Sequence, residues 1–221
     1  MTAPFDAGTE FDRQVATLIE KGYPELAGLS TDEFAELVTP LRVTALDRAA
    51  ALPAPTPDRV PFVLVVTREL IGVDERLART ALVGKRNPKP GVRDKNFPDK
   101  DLPTFDPIKE LEVPAGPAYL LFEVDRGADL VNLAPAAAVE ALAARDGLPI
   151  SIDEGIALVT QHPEVLEKNK CFSLVGSRCG DRRVPALWIS QNAPKLGWCW
   201  YGNPHTWLGS ASAHPVRTGL S

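Results

Sequence analysis

Over the first fifty residues, apolar positions recur at helical intervals. Phe11, Val15, Leu18 and Ile19 fall on one face, the i, i+4, i+7, i+8 spacing of an amphipathic helix. Thr9 is placed to cap it and Gly22 to stop it. A second helix is expected at Ser30-Thr31-Asp32-Glu33, where the Ser30 hydroxyl can accept from the amide three residues on while Glu33 reaches back, a capping box. Its stripe is Phe34, Leu37, Val38 and Leu41, and Pro40 should kink or end it. Pro53-Ala54-Pro55-Thr56-Pro57 cannot continue a helix and reads as extended linker. From Val60 to Thr67 the run is almost continuously apolar, the mark of a strand covered on both faces. Ala118–Val124 reads the same way. Between them, Asp74 is expected to cap a short helix running to Val83. Two more helices are expected over Pro135–Arg145 and Ile152–Gln161, the second boxed by Ser151 and Glu154 and ended by His162-Pro163. From Cys171 onward the pattern turns to strands: Cys171–Ser177, Arg183–Ser190 and Lys195–Tyr201, with turns at Gly180-Asp181 and Asn192-Ala193-Pro194. Helices first and strands clustered later predict a single α+β domain over 1–221. N-terminal helices (9–52) and a mid-chain helical pair would pack on a mixed sheet that includes a C-terminal antiparallel meander (171–212).

Composition narrows the setting. A chain of 221 residues can bury one full core without covalent staples. Three cysteines, an odd number, argue against a disulfide framework and for a reducing compartment, which points to the cytoplasm. Met1 to Asp6 carries neither a basic nor an apolar leader region, so no secretory signal is expected. No apolar run reaches the ~18 residues of a membrane span, so no membrane partner is expected. The 21 prolines are roughly twice the usual ~5% share, and many lie in a long basic stretch from Gly84 to Pro117. Loops of this length are usually functional or disordered. Its Lys85–Lys100 part carries six basic residues against Asp94 and Asp99, so residues 84–101 could close as a lid over an anionic ligand. Nucleic acid is disfavoured as a partner: the net charge is -5, the pI is about 5.3, and only Phe97 interleaves the basic residues.

The reactive and aromatic residues are concentrated. All three Cys (Cys171, Cys179, Cys199), all three His (His162, His205, His214) and all four Trp (Trp188, Trp198, Trp200, Trp207) lie in the last 60 residues. In a strand through Gly197-Trp198-Cys199-Trp200-Tyr201, Leu196, Trp198 and Trp200 share one face and Cys199 and Tyr201 the other. The turn Gly202-Asn203-Pro204 would set His205 near the strand's end. Trp198, Trp200, Asn203, His205 and Trp207 therefore form a candidate pocket that stacks a flat small molecule and bonds its edge. Arg178 and Arg182, in Ser177-Arg178-Cys179-Gly180-Asp181-Arg182-Arg183, would add anion contacts. Ordinary core packing of the tryptophans and a solvated arginine turn are the plainer alternatives. An enzyme reading makes Cys199 a nucleophile and His205 its base in acyl or group transfer. A third reading makes the tryptophans an exposed protein-interaction surface. Zinc on Cys171, Cys179, Cys199 and His205 is disfavoured because the spacings do not match short zinc knuckles, so no metal is assigned. No P-loop, dinucleotide fingerprint or hydrolase elbow occurs, and the cofactor stays unknown.

Five segments together resemble an uncharacterised actinobacterial family, a domain of unknown function. They are FDRQVATLIEKG (Phe11–Gly22), VPFVLVVTREL (Val60–Leu70), PAYLLFEVDRG (Pro117–Gly127), EGIALVTQHPEVL (Glu154–Leu166), and Gly176–Ser212 with GSRCGDRRVPALWIS and PKLGWCWYGNPHTWLGSAS. The last is the most specific. The resemblance implies one family-length unit and carries no activity, cofactor or residue role.

Overall fold

The computed structural model describes residues 5–220; Met1–Pro4, where part of the leader reading falls, lie outside them. The helices are α1 (Ala7–Glu20), α2 (Tyr23–Ala27), α3 (Thr31–Val38), α4 (Leu41–Ala49), α5 (Val73–Leu77), α6 (Pro135–Ala143) and α7 (Ile152–Gln161). The strands are β1 (Arg59–Val66), β2 (Val92–Arg93), β3 (Asp106–Pro107), β4 (Ala118–Asp125), β5 (Leu148–Pro149) and β6 (Cys171–Ser173). They continue as β7 (Ser177–Arg178), β8 (Arg183–Ser190), β9 (Ala193–Trp200), β10 (Leu208–Ser210), β11 (Ser212–Ala213) and β12 (Arg217–Gly219). This is an α+β fold. None of the described helices is long and apolar enough to cross a membrane.

The central pair is β1 and β4, antiparallel with Phe62 opposite Phe122 and Leu64 opposite Leu120. β11 and β12 also pair with β4, and β5 pairs with β11. Both faces of the pair are covered, which is why its strands are apolar at nearly every position. Phe62, Leu64, Val66, Leu120 and Phe122 pack against α1, α3 and α4. Val63, Val65, Tyr119 and Leu121 face the other way, into a core shared with α7 and the second sheet.

α7 is buried along its whole length, so its polar groups need partners. The Ser151 amide donates to Glu154 (2.6 Å) and the Glu154 amide to the Ser151 hydroxyl (3.3 Å). The same Glu154 carboxylate takes the Arg217 Nε at 2.5 Å, with both side chains fully buried. Asp153 beside it is held by Arg76 and by Arg68 (2.8 Å).

The capping box at Ser30 and Glu33 forms as its sequence predicts, and so does the one at Ser151. Two other helix starts differ. Asp6 rather than Thr9 caps α1, its carboxylate accepting the Thr9 amide at 2.6 Å; a carboxylate is the better acceptor there because it also faces the helix dipole. α5 ends at Leu77, well short of Val83. Its start is closed by Glu75 reaching back to the Gly72 amide (3.1 Å), while Asp74 is drawn off to Arg93 (2.5 Å). Thr80 then donates to the Leu77 carbonyl (2.7 Å) and closes the helix end. Pro40 divides α3 from α4, standing where a missing amide hydrogen costs nothing.

The second sheet has the order β10-β6-β8-β9-β2, with β10 parallel to β6 and β2 parallel to β9. The expected meander is therefore the antiparallel centre of a mixed sheet. The expected strand Cys171–Ser177 breaks after Ser173, and β7 leaves to pair with β3. The β8–β9 turn is Gln191-Asn192, one residue earlier than expected, with both residues left-handed (φ 54° and 64°). That two-residue geometry matches strand twist and sets the register, Val184 opposite Cys199 and Trp188 opposite Lys195.

The proline-rich stretch is mostly anchored. Its β2 adds to the sheet edge beside Lys195 and Leu196. Phe97, Phe105 and Leu111 are buried, and Arg93 donates to Asp74, Asp99 and the Phe97 carbonyl. A lid spanning 84–101 would have to break these contacts; its freer part ends near Pro90.

Candidate functional site

A cleft of about 1230 Å³ runs along one face of the second sheet. Its strand floor comes from β6, β8 and β9, which contribute Cys171, Ala186, Trp188 and Cys199. Strand alternation puts Ala186, Trp188 and Cys199 on one face through the Trp188–Lys195 register. The segment before β10 supplies His205 and Trp207, with Trp198 and Trp200 at the far end of β9. Lys168 and Asn169 come from the turn before β6, Gln191 and Asn192 from the hairpin, and Lys85 and Lys89 from the chain after α5.

All four tryptophans border this space. Trp188 and Trp207 meet edge to face, centroids 6.4 Å apart at 71°, and His205 lies 5.5 Å from Trp207. Trp198 and Trp200 meet edge to face at 4.9 Å, as alternation along β9 predicts. The Trp198 Nε1 donates to the Asn96 carbonyl (2.8 Å), which fixes that ring. Trp188 lies directly over Gly197: a Cβ on that glycine would sit 2.1 Å from the indole Cη2. The His205–Trp207 segment is tied at both ends. The Asn132 amide donates to the His205 carbonyl (3.1 Å) and the Cys171 amide to the Trp207 carbonyl (3.0 Å).

The charges around the cleft have one sign. Lys85, Lys89 and Lys168 line it, and no Asp or Glu does. Among the described residues none of the three has an ion-pair partner, whereas Lys170 is paired with Glu167 at 3.1 Å and Lys195 with Asp94 at 3.9 Å. The Lys89 amide donates to the Asn192 carbonyl (2.8 Å), which fastens the lysine segment to the hairpin turn.

The residues singled out in the sequence divide into two groups. Trp198, Cys199, Trp200, His205 and Trp207 all border the cleft. Asn203, Arg178 and Arg182 are not part of its lining. Arg178 stacks its guanidinium 4.3 Å over the Tyr201 ring and donates to the Asp181 carbonyl (2.9 Å), so it braces the β7–β8 turn. Sequence reasoning left out of its site Trp188, Lys168, Asn169, Gln191, Asn192 and Cys171. The signal for Trp188 was its partnership with Lys195 once the hairpin turn is placed at Gln191-Asn192. Nothing local in the sequence marked Lys168 or Asn169, which arrive through tertiary packing.

Burial pushes the Cys199 thiol up to about 12 and raises Cys171 as well. At neutral pH neither is a thiolate, the form that attacks. Cys199 forms no hydrogen bond with His205 among the described contacts, and Cys179 lies apart, its thiol 3.1 Å from the Asp181 carboxylate. The nucleophile–base geometry needed for group transfer is not assembled. Among the described residues no group of three or more His, Cys, Asp or Glu is gathered for a metal.

Fold and site together define an α+β protein with an aromatic, lysine-rimmed cleft along one face of a mixed sheet. Over residues 17–219 the chain matches a family of unknown function, DUF5701, and it belongs to that family. No curated protein and no solved structure matches it.

Proposed function

We propose that the cleft binds a small, flat, anionic molecule. One observation carries the reading: the lining sets Trp188 and Trp207 over the floor, with Trp198 and Trp200 at its margin from the other face of β9, beside three unpaired lysines and no carboxylate. Indole rings supply stacking area for flat ligands at little conformational cost. Unopposed ammonium groups at the rim attract an anion and would otherwise repel one another. Sites for small molecules combine this kind of apolar lining with a few convergent polar groups. The cytoplasm is part of the same proposal, since all three cysteines are free, as a reducing compartment requires.

The test is a titration of tryptophan emission with 1-naphthyl phosphate, with 1-naphthol as its uncharged counterpart. Saturable quenching is expected with the phosphate, weaker quenching with the naphthol, and loss of that difference in a Lys85→Gln/Lys89→Gln/Lys168→Gln variant. Absence of saturable quenching by either compound would overturn the proposal.

A further inference from the structure

We infer that the ligand class is a nucleotide: a heteroaromatic base joined to two or more phosphate charges. This rests on the reading of the same cleft as a site for a flat anion and narrows it. Three features separate a nucleotide from a simple aryl acid.

The first is the rim chemistry. Asn169, Gln191 and Asn192 line the cleft beside the tryptophans. Each carboxamide carries two donors and an acceptor, the complement of a base edge, where Asn and Gln make paired bonds. A naphthyl or phenyl ring offers such groups nothing to read. All three residues sit in left-handed turns (φ 64°, 54° and 64°), so short, tight turns set their positions rather than long mobile loops.

The second is charge number. Three unpaired lysines from two separate segments exceed what one carboxylate needs, but they suit a diphosphate or triphosphate, for which lysine serves as a point-charge partner. Lys85 and Lys89 lie on one side of the hairpin turn and Lys168 stands beside Asn169, so each cationic segment accompanies an amide-bearing turn.

The third is size. At about 1230 Å³ the cleft lies at or above the top of the ~300–1,000 Å³ range of pockets for drug-sized ligands. A single aromatic acid would leave much of it wet, whereas a base, a sugar and a phosphate chain would span from tryptophans to lysines.

Calorimetry on the purified full chain at low salt separates these terms. The probes are ADP, GDP, CDP, UDP, the matching nucleosides, 1-naphthyl phosphate, and a twelve-nucleotide single strand of mixed sequence. One diphosphate should bind best, about tenfold or more tighter than its nucleoside, which is about 1.4 kcal/mol. The Lys85→Gln/Lys89→Gln/Lys168→Gln variant should bring diphosphate and nucleoside together. Gln191→Ala and Asn192→Gly should erase the preference among bases, read as the ratio of the four diphosphate affinities within each variant; glycine keeps the left-handed turn at 192. Binding of 1-naphthyl phosphate with no diphosphate binding overturns the nucleotide assignment and leaves the flat-anion reading standing. Failure of all probes overturns both. A strand that outbinds every mononucleotide by tenfold or more overturns the small-molecule assignment in favour of a polynucleotide partner.

Discussion

Replacing Gly197 by alanine tests how the sheet builds the cleft. Gly197 lies inside β9 with a backbone that any residue can adopt. On backbone grounds alone the change should stabilise by about 0.4–1 kcal/mol, because alanine restricts the unfolded chain. Packing reverses that sign. The new methyl would lie 2.1 Å from Trp188 Cη2, 2.7 Å from its Cζ3 and 3.1 Å from the Asp94 Cβ. The indole must retreat by roughly 1.3 Å to reach ordinary contact, which begins near 3.4 Å. Overpacking of this size costs about 1–3 kcal/mol, and the edge of an indole that borders a cleft can yield, so the low end is expected. For a chain of this length that is a fall of roughly 2–4 °C in Tm per kcal/mol. Trp188 is displaced relative to Trp207, so the near-ultraviolet circular dichroism from the coupled indoles should change while the far-ultraviolet spectrum does not. Binding of 1-naphthyl phosphate should weaken in parallel. A Gly197→Ala protein that is more stable than the parent, with an unaltered near-ultraviolet spectrum, would refute this account of how Trp188 is seated.

Other consequences concern the core and the titrating groups. Glu154→Gln or Arg217→Met alone should cost about 3–5 kcal/mol in urea unfolding because each strands a buried charge, and joint replacement by Gln and Met should recover part of it. Burial pushes the His162 imidazole down, but hydrogen bonds with Glu10 and Glu164 outweigh this and raise its pKa above the ordinary value. The stability it contributes is full below about pH 6.5 and lost as the pH rises through the raised value, so His162→Gln should flatten that part of the stability–pH curve. Burial likewise pushes the Glu10 carboxyl up, yet hydrogen bonds from Arg13, His162 and Gln14 hold it at about 2. Its contribution is present above the usual carboxylate range and lost as the pH falls toward 2; acid melts of Glu10→Gln should lack that loss. Iodoacetamide at pH 8 should leave Cys199 unmodified in the folded protein and label it once urea unfolds the chain, read by peptide mass mapping; rapid native labelling would revive the thiol-enzyme reading.

The fold was legible where a residue's role is local. Ser30 and Ser151 with their glutamates announce two helix starts because a capping box closes within four residues. Val60–Val66 announces a doubly covered strand because burial on both faces leaves no polar alternation. Legibility failed where partners are distant. The start of α5 falls to Glu75 because Asp74 is taken by Arg93, nineteen residues away, and no local signal carries that. In the site, alternation in β9 correctly paired Trp198 with Trp200. The hairpin turn at Gln191-Asn192 was harder to place, because both residues adopt positive φ without a glycine. That one-residue slip hid the relation of Trp188 to Gly197 and Cys199. Arg178 was expected among the anion contacts, but Tyr201, brought alongside by the β8–β9 pairing, takes its guanidinium face.

The central claim is that tryptophans and lysines form one ligand site. The most direct measurement is a two-dimensional ¹⁵N–¹H spectrum of the four indole Nε1–H groups during titration with 1-naphthyl phosphate. The account predicts that the Trp188 and Trp207 signals move together and saturate, and that the Lys85→Gln/Lys89→Gln/Lys168→Gln variant needs about tenfold more ligand for the same shift. Trp198, held by the Asn96 carbonyl, should move less. Four indole signals that stay in place at saturating ligand, or equal shifts in parent and variant, would contradict it.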